Sequence, residues 1–114
     1  MDDATDLAEL RRRFNLLFQD TMRRCIVEIK YRPSYVLAHL TEHDGVDTAI
    51  WLVSIENESS GFMRLWQEGR LDLSAEALVL QLEFAPLFSV ELRRHAWNTL
   101  KEYDWKPLCN ITRP

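Results

Sequence analysis

From Leu7 to Ile29 the apolar side chains Leu7, Leu10, Phe14, Leu17, Phe18, Met22, Cys25, Ile26 and Ile29 return every three or four residues without a break. That spacing predicts one long amphipathic helix, residues 5 to about 30, with a face that has to be covered. Asp2, Asp3 and Thr5 offer capping oxygens and negative charge where the helix dipole favours them. Tyr31-Arg32-Pro33 ends the helix, because a residue before proline is pushed out of the α region. Cover for the stripe comes either from the rest of the chain or from a second copy. The second case predicts a homodimer through this helix, with Phe14 and Phe18 at the interface, and two-fold dimers are the commonest soluble oligomers.

The rest of the chain favours more helices. Among 114 residues there are only three glycines and four prolines, too little turn material for a β-fold. A hydrophobic share of 46% and a charged share of 28% are those of one ordinary globular core. The prediction is an all-α, single compact domain over 1–114, with five to six helices in a bundle-like arrangement. A helical core over 31–105 follows the long helix, and 106–114 reads as an irregular tail.

Local signals place the helices. Ser34 caps a second helix, Tyr35 to His43, that stops at the Asp44-Gly45 turn, and a third runs from about Asp47 to Ile55. Glu56 to Ser60 is the most loop-like internal stretch. A fourth helix, Gly61 to Glu68, puts Phe62, Leu65 and Trp66 on one face, and Gly69 is its left-handed stop. Arg70 to Leu73 form a link that a salt bridge between Arg70 and Asp72 would fix. Ser74 caps a fifth helix with Glu76 in its first turn. Across Leu78–Phe84 the cap favours a buried helix, while the alternation Leu78, Leu80, Leu82, Phe84 also fits a strand. Ala85-Pro86 breaks that element. Ser89 caps the last helix, lined by Leu92, Ala96, Leu100 and Tyr103.

A net charge of −4 argues against a general binder of phosphate backbones. Arg11-Arg12-Arg13, Arg23-Arg24 and Arg93-Arg94 sit among acids and read as solvated helix faces. Cys25 and Cys109 lie far apart, no stretch approaches a membrane span, and the acidic start is unlike a signal peptide. Reduced thiols in a cytoplasmic protein are the expectation.

Three strings carry chemistry on paper. His39-Leu40-Thr41-Glu42-His43 is a formal H-x-x-E-H, the pattern of inverted zincin peptidases. On a helix, His39 and His43 share a face and could hold one metal ion, with Glu83, Glu91 or Glu102 as a further ligand. Arg32 and His39, with six residues between them, resemble the Arg and His of small helical ribonucleases of the HEPN class. That likeness implies an acid/base role for His39 and charge stabilisation by Arg32. A helix-turn-helix can be drawn over Tyr35 to Val53, but Val46 to Leu52 has no Arg, Lys, Asn or Gln to reach base edges. No cofactor is expected, and catalytic and metal assignments stay empty apart from these candidates.

Trp51, Trp66, Trp97 and Trp105 are many tryptophans for this length. Trp97 or Trp105 would suit an interface anchor, since large amphipathic rings make hot spots. The order Tyr31-x-Pro33, Asp44-Gly45-Val46-Asp47-Thr48-Ala49, Gly61-Phe62-x-x-Leu65-Trp66-x-x-Gly69-Arg70-Leu71-Asp72-Leu73-Ser74-x-Glu76-Ala77-x-Val79-Leu80, then Leu87-Phe88, resembles a family of small, uncharacterised bacterial proteins and C-terminal modules. The resemblance covers about residues 31 to 104. It implies a bacterial origin and a helical fold, and no activity. Function is therefore expected to be non-enzymatic: a helical interaction or regulatory module with a protein partner or a second copy. A ribonuclease on Arg32 and His39, and a metal module on His39 and His43, are the alternatives.

Overall fold

Two of the three expected serine caps, Ser74 and Ser89, act where they stand. The computed structural model describes residues 3–54 and 60–105. Among these, six α-helices and two 3₁₀ segments occur and no strand. They are α1 (Asp3–Ile29), α2 (Ser34–Leu40), α3 (Gly45–Ser54), α4 (Ser60–Gln67), a 3₁₀ turn (Leu71–Leu73), α5 (Ala75–Val79), a 3₁₀ segment (Leu82–Leu87) and α6 (Val90–Glu102). Asp2, the loop positions 56–59 and the tail, with Cys109, lie outside the described residues.

The long apolar stripe is covered by the chain itself. Phe14, Phe18, Met22 and Cys25 are buried against Val46, Ala49 and Val53 of α3, the turn leucines, α5, Phe84 and Phe88. Phe14 meets Phe84 at 5.2 Å and Phe88 at 5.0 Å, both edge-on, and Phe18 at 6.2 Å. With 27 residues α1 is about 40 Å long, and the molecule's longest dimension is 43 Å. α3 and both 3₁₀ segments pack directly against this rod. Phe14 and Phe18 are corrected as interface residues: both are fully enclosed by this chain, so neither ring is available to a second copy.

Each helix end has an identifiable cause. Gly69, at φ +70°, closes α4: its N–H donates to the Trp66 carbonyl, and that of Arg70 to the Leu65 carbonyl. Asp104, at φ +56°, closes α6 the same way, with Asp104 N–H on Lys101 and Trp105 N–H on Leu100. Ser74 Oγ accepts from Ala77 N–H at 3.2 Å and donates to the Leu71 carbonyl at 2.6 Å. Ser89 Oγ accepts from Leu92 N–H. Ser34, by contrast, is the first residue of α2 and not its cap; Pro33 precedes it and no side chain caps that end.

Two elements differ from expectation. The Asp44-Gly45 pair does not end a turn but starts α3, two residues early. Asp44 Oδ1 accepts from Asp47 N–H at 2.9 Å as the cap, and Asn15 Oδ1 on α1 accepts from Val46 N–H. Gly45 lies where α1 and α3 nearly touch; a Cβ there would stand 2.9 Å from Phe18 Cβ and 3.2 Å from Asn15 Cα. Residues 78–84 form neither a long helix nor a strand. All five residues of α5 are buried, the helix ends at Val79, and a 3₁₀ segment containing Pro86 follows. The narrower 3₁₀ winding keeps Phe84 inward and leaves Leu82 exposed.

The link after α4 is held as its charges suggested. Arg70 donates to both Asp72 oxygens at 3.1 and 3.2 Å, and also to Glu28 at the end of α1 at 2.9 Å.

Candidate functional site

At the corner of α2 and α3 an aromatic row reaches the surface. Tyr35, His39 and His43 recur at four-residue intervals, and the His43 N–H still donates to the His39 carbonyl at 3.0 Å, so the helical winding carries past α2's end. Tyr35 is 82% exposed. The His39 ring stacks on His43 at 4.2 Å and on Trp51 of α3 at 4.2 Å, tilted by only 2° from the latter. Two rings at that spacing must take opposite faces of the imidazole, so His39 is the middle layer. Its Nδ1 lies 2.8 Å from Thr48 Oγ1. Thr48 is buried, which fixes the stack to the core.

This geometry limits the chemistry of the H-x-x-E-H string. Imidazole lone pairs lie in the ring plane, and nearly parallel rings direct them side by side, not onto one ion about 2.0–2.1 Å away. Among the described residues no group of three or more His, Cys, Asp or Glu comes together. Of the carboxylates considered as a further ligand, Glu83 is paired with Arg13 at 2.5 Å, while Glu91 and Glu102 are exposed on α6. Arg32 lies in the link before α2, exposed, and shares no helix with His39. With Nδ1 engaged and both faces covered, His39 has one free edge, at Nε2. The segment Val46 to Leu52, the recognition helix of a helix-turn-helix, packs inward through Val46, Thr48 and Ala49.

The corner is clamped to α1. Arg11 donates to Asp44 at 2.6 and 3.0 Å and to Asp47 at 3.0 Å. Partial burial pushes the Asp44 carboxyl up, but the Asp47 N–H and Arg11 outweigh it and hold Asp44 below its ordinary value. Of the other basic clusters, Arg12 and Arg13 are met by Glu9, Arg23 by Asp20 and Arg24 by Glu28, whereas Arg93, expected on a solvated face, is buried on the inner side of α6 with Ala96 and Leu100.

A second feature lies on the inner side of the same helix. A cavity of about 70 Å³ runs from Tyr31, Pro33 and Val36 down to Phe18, Cys25 and Val53. All six helices and the turn before α5 contribute to its wall. The Cys25 thiol is pushed up by burial and stays protonated. Glu76, Ser74, His95 and Thr99 supply the polar part of the wall.

Of the tryptophans, Trp66 differs from expectation. Trp97 and Trp105 are half-buried and pack against the core. Trp66, expected inward with Phe62 and Leu65, is 45% exposed and leans edge-on against Tyr103 at 5.5 Å. Tyr35, Thr48, Trp51 and Trp66 were not singled out by sequence as surface or site residues. The spacing of Tyr35 four residues before His39 was the available signal.

No helix among the described residues is long and apolar enough to cross a membrane. Comparison with protein-family models, curated proteins and solved structures finds no match to this chain.

Proposed function

We propose that this chain is a non-enzymatic helical interaction module of the bacterial cytoplasm, and that it docks a protein partner on the α2–α3 corner. The observation that carries this is the prebuilt stack His43–His39–Trp51 beside the exposed Tyr35 ring. Rigid aromatic groups lose little side-chain entropy on binding and make good anchors. The hydrogen bond to Thr48 and the Arg11 clamp hold the platform in place before a partner arrives. The two sequence alternatives use the same residues with less support. A metal module needs His39 and His43 unstacked, and a ribonuclease needs Arg32 brought to the Nε2 edge of His39.

The test compares the wild-type chain with a Tyr35→Ala/His43→Ala variant whose circular dichroism and melting match wild type. Each is immobilised and exposed to lysate of the encoding organism. A protein retained by wild type and lost by the variant is the expected result. Identical retention by both, or cleavage of total RNA that disappears in His39→Ala, would overturn the proposal.

A further inference from the structure

We infer that the cavity between α1 and α5 is a binding site for a small, uncharged apolar molecule, best suited to a single aromatic ring system. Its wall is built from Phe18, Met22, Val53, Phe62 and Leu73 with the protonated Cys25 thiol. These residues are between 0% and 8% exposed, so the floor lies within the core. Two of the four polar residues in its wall already have their hydroxyls in the chain's own hydrogen bonds. Ser74 Oγ both donates to Leu71 and accepts from Ala77, and the Thr99 hydroxyl donates to the His95 carbonyl.

The dimensions suit a small guest. A cavity of about 70 Å³ is several times the roughly 10–15 Å³ that one water needs, and water also needs two or more polar partners. A site between the helices of an all-α fold, apolar with a few polar groups at one side, is the usual form of a small-molecule pocket. Met22 and Cys25 favour an aromatic occupant over an aliphatic one, because sulfur makes favourable contacts with ring edges. A charged guest is disfavoured, because the interior would strip its hydration.

The chain carries its own reporters, since its three methionines are Met1, Met22 and Met63 and only Met22 lines the cavity. Full-length protein labelled with ¹³C at the methionine methyls is titrated with indole, and separately with benzoate. The expected result is a saturable shift of the Met22 methyl with indole, Met1 unmoved, and no shift with benzoate. A Val53→Met variant, which fills the floor, should weaken the indole response at least tenfold. Wild-type protein decides the matter if that variant does not fold. A Met22 methyl unmoved up to the solubility of indole, a linear shift of all three methyls alike, or an equal response to benzoate would each sink the inference.

Discussion

Replacing Phe14 by alanine removes a ring that is 0% exposed and lies between Phe84 at 5.2 Å and Phe88 at 5.0 Å. A fully buried Phe→Ala change costs about 3–5 kcal/mol, through lost transfer energy and the cavity left behind. The two edge-on ring contacts, at roughly 0.5–1.5 kcal/mol each, are part of that loss. Small domains have about 5–15 kcal/mol in all, so the variant keeps a fold with a large fraction of its stability gone. Phe14→Leu retains most of the volume and should lose only about 1–2 kcal/mol, mainly the ring contacts. Urea unfolding followed by tryptophan fluorescence measures both. At a slope of about 1–2 kcal/mol per molar, Phe14→Ala should unfold at least about 1.5 M earlier. The midpoint should not depend on protein concentration, because the rings around Phe14 belong to the same chain. A loss below about 1 kcal/mol, or a midpoint that rises with concentration, would refute the reasoning. The latter would place the α1 stripe against a second copy.

Gly45→Ala tests the α1–α3 crossing. Alanine gains about 1 kcal/mol of helix propensity, but its Cβ meets Phe18 Cβ at 2.9 Å and backbone at 3.2 Å. Net destabilisation of about 1–2 kcal/mol in the same urea assay is expected, and a stabilised variant would contradict the close contact. Ser74→Ala should cost about 1–2 kcal/mol through the lost cap of α5, checked by thermal melting; an unchanged melting temperature would mean that Ser74 is no cap. Acid should destabilise the fold in a defined window. Hydrogen bonds from Arg12 and from Arg24 hold Glu9 and Glu28 at about 2, below their ordinary 4.5. The unfolded chain therefore takes up protons first on acidification. The contribution is complete above about 4.5 and is lost as pH falls toward 2. Added salt should shrink this dependence because the pairs are exposed, and a profile flat across that window would rule it out.

What could be read from sequence was whatever depends on neighbours in the chain. The stripe of α1, the Gly69 stop, the Ser74 and Ser89 caps and the Arg70–Asp72 bridge are set within a few residues, and they stand where the sequence put them. What could not be read depends on distant partners. Gly45 looks like a turn residue until Phe18 is known to press on it. Leu82 fits the apolar alternation, yet the 3₁₀ winding turns it outward. The i, i+4 spacing of His39 and His43 was visible, but their stacking requires Trp51 and Thr48 from the next helix. The cavity draws on elements spread from Phe18 to Thr99, and no local pattern encodes a space enclosed that way.

The seven residues of α2 include none that is fully buried, and no side chain caps its start. Among the helices, its amides are expected to exchange fastest. Yet its two sides face different things. Tyr35 and the His39 stack look out to solvent, while Val36 forms part of the cavity wall. A guest packed beneath Val36 and a protein docked over Tyr35 would both order the same short helix. By thermodynamic reciprocity each then alters the affinity for the other by the same factor. With both sites occupied as proposed, α2 would be the element they share, and occupancy of the interior would be felt at the surface.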